Sequence, residues 1–223
     1  MLNSSFLSVI LHLLLDAAGF LSGSVMFSAL IPKYFCGKDI CTLSKDGNPG
    51  AGNVFMCCGI FMGAVCLLLD FLKGFLPVFL ALYFLGSDSY FFSLVMAAPV
   101  LGHAVAPLFH FRGGKCIATS FGVLLALFPF SRVVFLLAIP YLLFTILRIG
   151  RHRQRSILVY SLFGLLSIPH LHYSKKWKLL PGCLCIAGTV IWRHLADHSD
   201  EATEEGQNKT NPKDPQSKEG FQI

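Results

Sequence analysis

The chain has 223 residues, of which 54% are hydrophobic and only 13% charged, with a formal net charge of +6. A soluble domain carries charge on about a quarter of its residues, so this composition, with a mean hydropathy of +0.64, leans away from an ordinary soluble fold and towards the bilayer. A duplex binder is excluded. It needs a continuous basic face, whereas the Lys and Arg residues here sit in short gaps between apolar runs. There they set topology and meet anionic head groups. Up to Arg193 the chain is basic, and beyond it acidic.

In chain order, Phe6 to Leu30 is an apolar run long enough to cross a hydrocarbon core, which takes about 20 residues. It lacks a basic leader and a small-residue cleavage site, so it reads as a retained membrane helix. Asp16 within it must face protein or water. A polar loop with Lys33, Lys38 and Lys45 follows. Asn53 to Leu72 is apolar, and a short apolar piece, Phe75 to Leu85, comes directly after it. Tyr90 to Phe111 is the next run, ending in a glycine-rich break at Arg112 to Lys115. Ile117 to Phe130 and Val133 to Leu147 are separated only by Ser131 and Arg132. The basic loop Arg148 to Arg155 precedes Ile157 to Pro169, and Lys175, Lys176 and Lys178 flank the last run, Leu179 to Trp192.

These runs predict an all-α integral membrane protein with a membrane domain over 1–195. Residues 196–223 are polar and expected to be disordered, since they bury too little apolar surface to fold alone. The positive-inside rule places Arg148 to Arg155 in the cytoplasm. Strict alternation would then send Lys73 or Lys115 outside. Some middle segments are therefore expected to be short, broken or re-entrant around a cavity.

The eight cysteines include no CxxC pair, which speaks against a zinc ribbon or redox motif. Most lie in apolar runs, where Cys packs as a small hydrophobe.

Three polar motifs interrupt the apolar runs. In Gly47-Asn48-Pro49-Gly50-Ala51-Gly52-Asn53, the glycines and asparagines allow a tight turn that presents N–H groups to an anion at a helix start. The same composition also suits a plain loop. In Asp70-Phe71-Leu72-Lys73-Gly74-Phe75-Leu76-Pro77, the acid and lysine share a helical face, and Gly74 and Pro77 are expected to break or redirect the helix. That pair reads either as a local ion pair or as a functional one. The third is Gly102-His103 followed by Phe111-Arg112-Gly113-Gly114-Lys115-Cys116-Ile117-Ala118-Thr119. Two glycines and two fixed cations suit a phosphate better than a metal or a base. His103 alone reads rather as a packed histidine, and the Gly-Gly-Lys cluster is the stronger element.

In order and spacing these motifs resemble the three signatures of the PlsY-type acyl-phosphate:glycerol-3-phosphate acyltransferases. Gly23-Ser24 and Arg193-His194 resemble the family's Gly-Ser and C-terminal Arg-His. The resemblance implies a bundle of about seven transmembrane helices, some short or broken, in the bacterial plasma membrane, with the motif loops towards the cytoplasm. It implies transfer of a fatty acyl group from acyl phosphate to the sn-1 hydroxyl of glycerol 3-phosphate, giving lysophosphatidate and phosphate. The partners implied are these two substrates and membrane lipids, without nucleic acid, and no metal or organic cofactor is expected. Oligomeric state is left open.

Carried onto this chain, the resemblance makes Ser24, Asn48, Gly50 and Asn53 the lining of a first phosphate site. It makes Lys73 and Lys115 phosphate contacts, helped by Arg112 and the Gly113 and Gly114 amides. His103 and His194 are placed beside the reacting centre, so His103, His194 and Lys115 are the expected catalytic residues. No histidine here has an aspartate five positions on, which excludes the His-x4-Asp acyltransferases.

The chain departs from the family pattern in places. Asp46 stands where a serine is usual, Gly52 where a threonine is, and Cys116 where a glycine follows the lysine. Thr42 and Met56 fall where arginines are expected, and Asp197 where an asparagine is. Two lost arginines and the gained aspartate, Asp46, weaken an anion site, and Lys45 replaces an arginine only in part. The alternative is therefore a non-catalytic, lipid-binding relative that kept the fold. A solute transporter is a distant third, because the chain has no paired inverted repeats.

Overall fold

The computed structural model describes residues 4–44, 46–128 and 130–196. Among the described residues all regular structure is helical, which pairs the backbone polar groups where no water can. The α-helices are α1 (Ser4–Ser24), α2 (Phe27–Cys36), α3 (Ile40–Leu43), α4 (Ala51–Cys58), α5 (Ile60–Leu85), α6 (Phe91–Val105), α7 (Ile117–Ala126), α8 (Val133–Ile146), α9 (His152–Tyr173) and α10 (Leu180–Ala196). Two 3-10 turns, Pro107–Phe109 and Trp177–Leu179, extend α6 and lead into α10.

Five stretches are long and apolar enough to span: Phe6–Ser24, Ile60–Leu85, Phe91–Phe109, His152–Tyr173 and Trp177–Ala196. α7 and α8 are apolar but have only 10 and 14 residues. Seven apolar helices thus form the bundle, some of them short, as expected. The short helices α2, α3 and α4 gather at one end of it. At the other end the loops around Asp88, Phe130 and Lys176 meet.

The structure corrects two expectations about where helices break. The first apolar run is not one helix, since it is interrupted at Val25 and Met26 between α1 and α2. The interruption frees the Val25 carbonyl, which accepts a hydrogen bond from Lys73 Nζ at 2.6 Å. Conversely, Gly74 and Pro77 do not break α5, which runs unbroken for 26 residues. Proline at 77 leaves the carbonyl four residues back without its helical donor. That carbonyl belongs to Lys73, and the Ser22 hydroxyl from α1 donates to it at 3.3 Å. The break lies instead at Gly59, whose φ of 86° a side chain would resist. Lys73 is therefore mid-helix and faces neither aqueous side, which removes the conflict in the alternation. A third correction concerns Arg148 to Arg155: α9 begins at His152, so Arg153 and Arg155 are helical.

Glycines set how closely the helices approach. A Cβ on Gly23 would lie 2.1 Å from the Pro99 carbonyl oxygen, and one on Gly102 would lie 2.0 Å from that of Phe20. These two contacts bring α1 against α6 backbone to backbone, as small residues do in membrane bundles. Gly74 and Gly122 join α5 to α7 in the same way. The buried core between α6, α7, α8, α9 and α10 contains Phe92, Met96, Leu124, Leu137, Tyr160 and Phe163. Outward-facing Phe84, Ile139, Leu142 and Leu165 are equally apolar and exposed. A bundle surrounded by hydrocarbon requires such an outer face. The reading of a polar tail falls on residues outside those described, apart from Ala196, which ends α10.

Candidate active site

A cavity of about 680 Å3 opens where α4, α5, α7 and α8 converge beside the end of α6. One part of its wall is polar: Asp46, Asn48, Gly50, Asn53, His103, Lys115 and His152. The other is apolar, formed by Leu67, Phe71, Ile117, Phe121 and Tyr141. Phe121 and Tyr141 meet edge to face at 5.6 Å. A polar head and an apolar wall in one cavity suit an amphiphile.

The first motif folds as a loop tied by its own side chains. Asp46 Oδ1 accepts from the Asn48 backbone N–H at 3.2 Å and from Asn53 Nδ2 at 2.8 Å. The Asn53 amide also donates to the Asn48 carbonyl at 2.8 Å. α4 then starts at Ala51, so Gly50 and Asn53 bring its N-terminal end to the cavity. Across the cavity, Lys115 Nζ meets Asp46 Oδ2 at 2.7 Å. Burial pushes the Asp46 carboxyl up, but Lys115, with the Asn53 and Asn48 donors, outweighs this and holds it below the usual carboxylate range.

The second motif lies one layer deeper. Asp70 and Lys73 pair at 2.8 Å with both side chains almost fully buried. Ser28 donates to Asp70 Oδ2 at 2.6 Å, and Thr119 to the Asp70 carbonyl at 3.1 Å. Asp70 reaches the cavity wall, whereas Lys73 points behind it to Val25. A buried pair of this kind is stable only when further hydrogen bonds complete it. Here Ser28 and Val25 supply them.

In the third motif, His103 lines the cavity, and its Nδ1 is buried with no hydrogen-bond partner among the described residues. Gly114 packs directly against the imidazole: a Cβ there would lie 2.3 Å from Nε2. The Gly114 N–H donates to the His103 carbonyl at 3.1 Å. Arg193 closes this arrangement from α10. Its Nη2 donates to the Gly113 carbonyl at 2.6 Å and its Nε to the Gly114 carbonyl at 3.2 Å. Arg193 thereby fixes the loop that carries Lys115.

Of the residues expected from the sequence, Asn48, Gly50, Asn53, His103 and Lys115 come together on the cavity wall. Ser24, Lys73, Arg112, Gly113, Gly114 and His194 do not lie on it. The physical reasons differ. The Ser24 hydroxyl bonds back to the Phe20 carbonyl at 2.8 Å, and Arg112 is exposed. The Gly113 and Gly114 carbonyls are held by Arg193, and the Gly114 amide is spent on His103. His194 is buried behind the wall, where its Nδ1 contacts the Val190 carbonyl at 2.8 Å. Its ring lies 6.1 Å from that of His152, which does line the cavity. His152, Tyr141 and Asp46 were not among the expected site residues. His152 was hidden within a basic stretch read as a topology loop, and Tyr141 within a uniformly apolar run. Of the departures from the family pattern, Asp46, Gly52, Met56 and Cys116 are on the wall, while Asp197 lies outside the described residues, as does Lys45.

A model of the family "Glycerol-3-phosphate acyltransferase" matches residues 13–201. The chain belongs to that family. This glycerol-3-phosphate acyltransferase family member is 33% identical over 186 residues to the glycerol-3-phosphate acyltransferase of Lawsonia intracellularis, covering 83% of this chain and 89% of the relative. It is 34% identical over 186 residues to that of Listeria welshimeri, covering 83% and 90%. Its fold matches a crystal structure of PlsY, an integral membrane glycerol 3-phosphate acyltransferase, in the glycerol 3-phosphate form. The TM-score is 0.72 and the identity 31%, over 86% of this chain and 92% of that one. The lysophosphatidic acid form matches with a TM-score of 0.70 and 30% identity, over the same shares. The family member described here is thus an integral membrane protein with an all-helical fold, and the reading of a non-catalytic relative is not favoured.

Proposed function

We propose that this chain is the acyltransferase that makes lysophosphatidate for phospholipid synthesis, with acyl phosphate as donor and glycerol 3-phosphate as acceptor. The observation that carries this reading is the single cavity in which a polar wall with Lys115, His103 and the Asn48 to Asn53 turn adjoins an apolar one. The acceptor's phosphate and the donor's phosphate fit the polar wall, and the fatty chain fits between Leu67, Phe71, Ile117, Phe121 and Tyr141.

Acyl phosphate is already activated, so the protein's task is positioning and charge stabilisation. The sn-1 oxygen attacks the acyl carbonyl carbon, forming the new ester bond as the bond from that carbon to the phosphate oxygen breaks. The hydroxyl proton passes to the departing phosphate, so atoms balance without a protein acid or base changing state. Lys115 offsets phosphate charge, and His103, with its unpartnered nitrogen, orients the reacting hydroxyl. Gly50, Asn48 and Asn53 spend their own donors within the turn, and the turn aims the start of α4 at an anion. His194 acts through His152 as a positioning residue, and Ser24, Lys73, Arg112, Gly113 and Gly114 hold the wall in shape. The cavity end of the bundle lies in the cytoplasm of a bacterial cell, with the protein in its plasma membrane.

Growth tests the reading. A strain that has lost its own acyl-phosphate-dependent step is expected to grow when this chain is expressed. Failure to grow, with the protein present in the membrane at the level of a working relative, contradicts it.

A further inference from the structure

Among the described residues, each ionised side chain on the cavity wall is already paired. Asp70 is held by Lys73 and Ser28, and Lys115 is held by Asp46 at 2.7 Å. A phosphate entering this cavity therefore meets charges that are already committed, and shares the Lys115 ammonium with a carboxylate oxygen or displaces it. The two oxygens of Asp46 have separate duties. Oδ1 is fixed to the loop by the Asn48 N–H and the Asn53 amide, while Oδ2 contacts Lys115 at 2.7 Å. The carboxylate can release Lys115 without leaving the loop, but the bonds to Oδ1 then keep its negative charge beside the incoming phosphate.

We infer that Asp46 is an affinity-determining residue of the phosphate site, an internal anion that competes with the substrate phosphate for Lys115. This rests on the acyltransferase reading and assigns the competition to one side chain. Its cost to binding has two parts: a charge-assisted hydrogen bond is shared or broken, and like charges are then held close. The pair is partly exposed, with side chains 16% and 32% accessible, so solvent screens part of both effects. Neutralising Asp46 is expected to tighten glycerol 3-phosphate binding by about tenfold. The effect belongs to substrate binding, so KM falls with it while kcat changes far less.

The test uses the full chain in lipid nanodiscs, with equilibrium binding of glycerol 3-phosphate and steady-state kinetics with palmitoyl phosphate. Asp46→Asn and Asp46→Ser remove the charge, and Asp46→Glu keeps it. Serine retains a hydroxyl for the Asn48 and Asn53 donors, so a loop defect in one neutral variant does not hide the effect in the other. The inference expects tighter binding and lower KM in both neutral variants and values near those of the unmodified protein in Asp46→Glu. Unchanged or weaker binding in both neutral variants overturns it. Loss of folded protein in both overturns it as well, because Asp46 would then be a structural residue of the loop. An unmodified protein that binds no glycerol 3-phosphate and forms no product sinks the acyltransferase reading itself. Binding that is indifferent to the charge at position 46 sinks only this inference.

Discussion

Lys73 and Lys115 come from neighbouring polar motifs, yet the fold treats them in opposite ways. Lys115 stands on the cavity wall and meets a partner from a separate loop. Lys73 is sealed between Asp70 and the Val25 carbonyl. Removing Lys115 should therefore cost catalysis most: Lys115→Ala is expected to lower kcat/KM by about a hundredfold, with the thermal unfolding midpoint falling no further than in Asp46→Asn, the other half of the same partly exposed pair. Removing Lys73 should cost stability first. A buried aspartate left without its partner destabilises by about 3–5 kcal/mol, whereas replacing both charges by apolar groups is nearly neutral. Lys73→Met is thus expected to unfold at much lower temperature in detergent, and Lys73→Met with Asp70→Leu to recover most of the loss. Asp46 adds a pH signature. Its carboxyl is held below the ordinary range, so the stability it contributes is fully present above the unfolded value of about 3.9 and is lost as pH falls through the folded one. The difference in midpoint between the unmodified protein and Asp46→Asn should hold from about pH 8 to about pH 5 and shrink below about pH 4.

At the scale of helices, close approach makes a sharp prediction. Gly102→Ala forces a methyl group towards the Phe20 carbonyl, where a Cβ would sit 2.0 Å away. A backbone atom cannot swing aside, so a loss of about 1–3 kcal/mol is expected from thermal unfolding. Gly188→Ala is the control, since nothing lies within 4 Å of its Cβ position. It should be neutral or slightly stabilising.

The same helices show what the sequence could and could not tell. Each of the seven apolar helices among the described residues falls on an apolar run, although two of the runs belong to the one helix α5, because burial in lipid writes itself into composition. The motif order brought Asn48, Gly50, Asn53, His103 and Lys115 to one wall. The breaks were misread because they depend on partners distant in sequence. Pro77 looks like a helix breaker until Ser22 of another helix satisfies the carbonyl it strands. The first apolar run looks continuous until Lys73 claims Val25. Arg193 had a visible signal in the Arg-His pair, but its work on the Gly113 and Gly114 carbonyls needed the fold to place α10 beside that loop.

Across the whole molecule, charge distinguishes the two ends. Lys38, Lys115, Arg151, Arg153, Arg155 and Arg193 gather around the cavity end, while Lys175, Lys176 and Lys178 lie with Asp88 at the other. By the positive-inside rule, the greater excess of Arg and Lys at the cavity end supports the proposed cytoplasmic orientation. A reporter fused after Gly150 should score as cytoplasmic and one fused after Ser174 as external, and the reverse pattern would overturn this orientation. In the proposed orientation a soluble acceptor would reach the polar wall while an acyl chain enters from the bilayer. The purified protein in nanodiscs, given palmitoyl phosphate and glycerol 3-phosphate together, puts that arrangement to its most direct test. The account expects inorganic phosphate and lysophosphatidate in equal amounts, dependent on both substrates and strongly reduced in Lys115→Ala. No lysophosphatidate under conditions in which a relative from the same family is active would contradict it.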